Sequence, residues 1–258
     1  MKKVLFVLLF FLALNFGIRL ALRLSVGDSE YPLQYVLQIS HKLCLIIGVL
    51  IVIYTSKIDI EIWNKKYLFL LICAVIGYWA LWSISDETEA IPVLNNALFF
   101  VSCLCVAAFE ELLFRVYVFD GLLKIYTSKK MLRVIVITSL LFAVAHGTNA
   151  FHPDVAVYGV IVQIVFAFTI GILFQSLLIR FRNVFLVIAL HTIVNYLGSY
   201  KSQLLFIERA SEEYTFNDFL MSLSIMVGVS VLIFLPISYI LLRPYFKEKK
   251  APSLKELP

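Results

Sequence analysis

The chain has 258 residues, of which 62% are hydrophobic and only 15% charged, whereas soluble domains run near 25% charged. A mean hydropathy of +0.94 points the same way and leaves no room for a large water-soluble domain. The formal net charge of +5 does not point to nucleic acid, because the basic residues fall in short segments between apolar runs, which is a topology signal.

Crossing a bilayer takes roughly 17–25 mostly apolar residues. The runs that meet or approach that length are 4–22, 34–55, 67–84, 91–119, 132–150, 156–179, 183–199 and 219–242. Met1-Lys2-Lys3 before the first run resembles the start of a signal peptide. The apolar stretch, however, continues to about Leu22 with no small-x-small cleavage site, so it reads as a retained span. The fourth run is long enough to tilt or break, and the seventh is short. Pro236 is expected to kink the last.

With the N-terminus in the cytoplasm, the inside segments hold most of the 22 basic residues, while Arg19, Arg23, Lys42, Lys201 and Arg209 fall outside. That bias places both termini inside. The expected fold is therefore all-α, a polytopic transmembrane helical bundle of about eight spans, N-in/C-in. Along the chain, 1–90 holds spans without motifs and 91–199 holds a motif-bearing core. The remainder, 200–258, holds an outer loop, the last span and a cytoplasmic tail. Cys44, Cys73, Cys103 and Cys105 all lie in apolar runs without a C-x-x-C pair, and read as free core thiols. Cys103 precedes Glu110 by two helical turns and so neighbours its face.

The chemistry concentrates in three stretches. Phe109-Glu110-Glu111-Leu112-Leu113-Phe114-Arg115 sets two carboxylates and a guanidinium inside the fourth run. An intramembrane charge costs roughly 2.5–3.5 kcal/mol on insertion scales, so it reads as functional by default. Glu111 and Arg115 are four apart and share an α-helical face, which offsets part of that cost. Glu110 is turned about 100° away and lacks this partner. Phe142-x-x-x-His146 in the fifth run and His191-x-x-x-Asn195 in the seventh each put two side chains on one face. The last pair suits two metal ligands or two donors aimed at one oxygen. Each stretch alone also fits a packed polar contact between helices. Together they suggest one cavity, the least costly arrangement for groups so poorly solvated by lipid.

The set Glu110-Glu111-x-x-x-Arg115, Phe142-x-x-x-His146 and His191-x-x-x-Asn195 resembles the motif series of the CPBP family of CAAX prenyl endopeptidases and Abi-type, bacteriocin-processing membrane proteins. The resemblance covers roughly residues 91–199 and shows no departure at a motif position. It implies hydrolysis of a peptide bond in a membrane-associated or hydrophobic peptide, including prenylated C-a-a-X substrates. It implies that Glu110 and His146 activate water, that His191 and Asn195 stabilise the oxyanion, and that Glu111, Arg115 and Phe142 support them. A metal-assisted route through Zn²⁺ or another divalent ion, held by Glu110, His146, His191 and Asn195, stays open. The lack of an H-E-x-x-H motif tips the reading toward a metal-free glutamate.

The expected partners are the lipid bilayer and a membrane-associated peptide or protein, with no nucleic acid, and the expected location is a bacterial inner membrane. Bacteriocin immunity, peptide maturation and a non-catalytic membrane scaffold are the alternatives. A transporter is disfavoured by the lack of an internal repeat.

Overall fold

The computed structural model describes residues 1–26, 31–58, 93–126, 130–151, 156–205 and 215–247. The expected span at 67–84, Cys73 and the tail beyond Lys247 lie outside them. Every regular element among the described residues is helical. Helix α1 runs Lys2–Val26 and α2 runs Tyr31–Thr55. Helix α3, Val93–Glu110, passes into a π-helical segment, Glu111–Val118, and then into α4, Phe119–Tyr126. Helix α5, Met131–Ala145, ends in a 3₁₀ segment, His146–Phe151. Next come α6, Val157–Phe181, and α7, Val184–Leu205. Helix α8, Phe216–Val229, is joined to α9, Leu235–Lys247, by a second π segment, Ser230–Phe234.

Six of these helical runs are long and apolar enough to cross a membrane: Lys2–Leu22, Leu33–Thr55, Leu94–Tyr126, Met131–Phe151, Val157–Phe181 and Phe216–Phe246. Val184–Gly198 is a shorter apolar helix. They coincide with seven of the runs read from sequence. Helix is the expected state, since a lipid-facing segment must satisfy its own backbone hydrogen bonds.

Local chemistry sets several ends. Pro32 sits in the first turn of α2, where its missing N–H is not needed. Thr215 caps α8 through a reciprocal box: its hydroxyl accepts from the Asp218 N–H, and the Asp218 carboxylate accepts from the Thr215 N–H at 2.9 Å. Arg182 closes α6 in the left-handed region at φ 49°, and Asn183 Oδ1 then accepts from the Leu186 N–H at 3.1 Å to start α7.

The expected kink at Pro236 takes the form of the second π segment. Proline removes a donor, the winding widens ahead of it, and the Leu235 N–H reaches back to the Ser230 carbonyl. The fourth run does not break. It stays one helical run of 33 residues, widened at its acid pair. His146 differs from expectation too. It stands just past the end of α5, at the head of the 3₁₀ segment.

The chain forms two compact units. One comprises Met1–Leu8, Phe114–Arg182 and Glu212–Pro258; the other comprises Leu9–Leu113 and Asn183–Ser211. In the first, α6 packs against α5, α8 and α9. A Thr169–Ser230 hydroxyl contact of 2.8 Å and a Tyr245 hydroxyl bonded to the Ile179 carbonyl tie it together. In the second, α3 packs against α2 and α7. Phe99, Cys103 and Ala107 are buried at four-residue spacing on α3, which is one helical face. Tyr35 and Tyr196 stack on Phe99 at 5.7 and 5.2 Å, and the Tyr196 hydroxyl donates to Asn96 Oδ1. Cys103 belongs to this apolar core.

Candidate active site

The α3–α7 contact carries the acid pair to a histidine. Glu111 continues the buried face of Phe99, Cys103 and Ala107 by one more four-residue step, and it is 0% exposed. Its Oε1 lies 2.7 Å from His191 Nδ1. On the other side of the ring, His191 Nε2 is 3.7 Å from Glu110 Oε2. One imidazole thus stands between two carboxylates.

This differs from the helical-wheel expectation, which turned Glu110 alone toward the histidines. An α-helix separates neighbours by about 100°. Both acids nevertheless address the same ring, Glu111 at 2.7 Å and Glu110 at 3.7 Å, at the point where the winding begins to widen. The two remain unequal. Glu111 is sealed, whereas the Glu110 side chain keeps 19% of its surface open. Asn195 follows His191 by one turn of α7 and is half-buried.

The hydrogen bond fixes a tautomer. A carboxylate accepts, so Nδ1 of His191 carries the proton and donates to Glu111. For Nε2 to act as a donor as well, the ring must be imidazolium. The buried Glu111 carboxylate supplies its counter-charge.

The other motif residues lie in the other unit. Arg115 is 1% exposed, and its guanidinium lies 4.3 Å from the centre of the Phe142 ring. Phe114 meets the same ring edge-on at 5.3 Å. Phe142 also meets the His146 ring at 4.7 Å, so the predicted common face of Phe142 and His146 is present. His146 Nδ1 lies 2.9 Å from the Phe142 carbonyl. A carbonyl only accepts, so Nδ1 donates, which leaves Nε2 as the ring atom not engaged by that bond. Gly171 makes room for this stack. A Cβ there would come 3.2 Å from Arg115 Nη2 and 3.2 Å from Ser139 Cβ.

The three motifs are thus distributed. Glu110, Glu111, His191 and Asn195 come together in one unit, and Arg115, Phe142 and His146 in the other. Sequence reading passed over a further group near Glu110, Lys42 of α2. It is 4% exposed, donates to Asn15 Oδ1 at 2.8 Å, and stands 4.8 Å over the Phe109 ring. The signal was present: a lysine well inside an apolar run is an intramembrane charge like Glu110. The rule that reads basic residues as loop charges puts it in an outside segment instead.

Among the described residues no three His, Cys, Asp or Glu side chains are disposed to share an ion; His191, with Nδ1 on Glu111, keeps Nε2 as the ring atom that would face one.

Comparison with known proteins identifies residues 92–197 with the family model described as type II CAAX prenyl endopeptidase Rce1-like. No curated protein and no solved structure matches the chain. The matched segment contains the whole motif series, from Glu110 to Asn195. Over residues 92–197 the chain is similar to the Rce1-like type II CAAX prenyl endopeptidases, the resemblance that the three motifs implied.

Proposed function

We propose that this multi-pass membrane protein is an intramembrane endopeptidase that cleaves a membrane-associated peptide with a glutamate-activated water. The carrying observation is His191 held between a sealed Glu111 and a partly open Glu110. Only the open carboxylate is reachable by water and substrate, so Glu110 is the base. It takes a proton from water as the oxygen attacks the scissile carbonyl carbon. The oxyanion that forms accepts from His191 Nε2–H, whose positive charge Glu111 balances. Asn195, one turn along, offers an amide N–H to the same oxygen. When the C–N bond breaks, the proton on Glu110 passes to the leaving amine.

The resemblance assigns His146 as the second group on the water, a role that Nε2 would fill, since Nδ1 is bonded to the Phe142 carbonyl. Arg115 and Phe142 support this histidine. A metal, were one bound, would polarise the carbonyl and lower the pKa of its water. No step here uses one. The substrate class follows the family: a hydrophobic or lipid-anchored peptide, including prenylated C-a-a-X ends, in a bacterial inner membrane.

The test is cleavage by purified protein in liposomes of a C-a-a-X peptide, with and without its prenyl group. Glu110→Gln should abolish turnover while the protein still folds. His191→Ala should reduce it by about 10²–10³ or more, the usual value of an oxyanion donor. Equal cleavage by wild type and both variants would remove the proposal. Activity that survives chelation and metal analysis showing no ion would support the metal-free route.

A further inference from the structure

His146 stands on a support that its own backbone does not fully supply. Helix α5 stops at Ala145, and His146 opens a 3₁₀ segment of six residues, His146–Phe151. Runs of this winding longer than about three or four residues are uncommon, because its hydrogen bonds are poorly aligned. The segment therefore needs hold from elsewhere. Two of its side-chain bonds are local. His146 Nδ1 donates to the Phe142 carbonyl at 2.9 Å, and the Thr148 hydroxyl donates to the Ala145 carbonyl at 2.9 Å. Both tie the segment to the end of α5 and to nothing beyond it.

A third bond is of a different kind. Asn149 Nδ2 donates to Gln163 Oε1 of α6 at 2.9 Å, across 14 positions of sequence. The backbone at Gly147 lies against the same stretch of α6, since a Cβ there would meet Ile164 Cδ1 at 3.9 Å, an ordinary van der Waals distance. Residues three apart eclipse one another in a 3₁₀ winding, so Asn149 stands in line with His146, one turn on. Gln163 thus holds the turn that carries the imidazole. Both amides are half-buried in an apolar setting, where a polar group without a hydrogen bond is costly.

We propose that Gln163 is a positioning residue for His146, acting through Asn149. The bond keeps the segment in its 3₁₀ winding and so keeps His146 Nε2 in one place. The proposal rests on the peptidase reading, in which that nitrogen acts on the attacking water. With the bond lost, the segment is released to rewind toward α. Each residue then turns about 100° in place of about 120°, and the ring swings off its water. A positioned acid–base group contributes about 10²–10⁴ in rate, and a misplacement of about 1 Å can cost about 10².

The experiment uses the purified full-length protein in liposomes and the C-a-a-X peptide of the assay above. Gln163→Leu removes the acceptor and should lower kcat by about tenfold to 10², with KM and the unfolding midpoint little changed. Gln163→Glu still offers an oxygen to the Asn149 N–H and should keep most of kcat. Asn149→Leu should reproduce Gln163→Leu. The double leucine variant should fall no further than either single one, because two groups that act through one bond are not additive. A lysed or loosened fold would instead lower the yield and the midpoint and leave kcat per folded molecule unchanged.

A kcat for Gln163→Leu within twofold of wild type overturns the proposal, as do equal losses in Gln163→Glu and Gln163→Leu, or losses that add in the double variant. If Gln163→Leu does not fold, Asn149→Leu carries the test with the same threshold. If neither folds, the pair serves the fold alone and the proposal falls. His146→Ala as active as wild type removes His146 from the chemistry, and this proposal with it, but leaves the peptidase reading. No cleavage by wild type removes both.

Discussion

Glu111→Gln separates the two things that Glu111 does for His191. The amide oxygen of glutamine still accepts from Nδ1–H, so the ring keeps its orientation. The negative charge is lost. In wild type the contact is 2.7 Å long and wholly shielded from water, so the carboxylate acts on the ring with little screening. A hydrogen bond to a charged group contributes about 1.5–3 kcal/mol, against about 1 for a neutral one. The difference, about 1–2 kcal/mol, falls mainly on the state in which the imidazolium faces an oxyanion. That predicts at least a roughly tenfold fall in kcat/KM. If the ring can no longer hold a proton on Nε2, the fall should approach the 10²–10³ of a lost oxyanion donor. Thermal unfolding in detergent should change little for Glu111→Gln, whereas Glu111→Ala should lose both activity and stability. The assay is the liposome cleavage rate beside the unfolding midpoint for the two variants. Glu111→Gln within twofold of wild type would refute the counter-charge role. A collapse in stability with normal activity in the surviving fraction would refute it as well.

Other variants probe the frame around the site. Arg115→Ala removes a buried guanidinium stacked on Phe142, which in a desolvated setting contributes about 2 kcal/mol. It should lower the unfolding midpoint and the yield, and an unchanged midpoint would show the stack to be incidental. Gly171→Val pushes a side chain into Arg115 and Ser139, and overpacking of this kind typically costs about 1–3 kcal/mol; the same unfolding measurement checks it. Asn183→Ala removes the cap of α7 at about 1 kcal/mol. Asn183→Ser, which keeps an acceptor, should recover part of that, and equal losses for the two would mean the cap is not the cause.

The helices were legible because lipid leaves little choice. An apolar run of span length has to satisfy its own backbone, so run boundaries and helix boundaries nearly coincide from Lys2–Leu22 to Phe216–Phe246. The motif residues were legible for the complementary reason: a charge in such a run needs an explanation, and Glu110, Glu111 and Arg115 stood out. The winding between them was not legible. An α-helical wheel assumes a constant angle per residue, and nothing in Glu-Leu-Leu-Phe-Arg announces a π turn. That change of winding, an i→i+5 pattern in place of i→i+4, begins at Glu111 and alters where the residues after it, Arg115 among them, point relative to an α-helical wheel. The cap at His146 escaped as well, because the apolar run continues through it while the α-helix does not.

Lys42 shows the reverse failure, and its cause is instructive. A lysine near the middle of a hydropathic stretch was counted with the loop charges because positive residues are read first as orientation signals. The structure puts it on α2 with Asn15 and Phe109 as partners, which is the burial pattern of a site residue. The same test that selected Glu110 therefore applies to it.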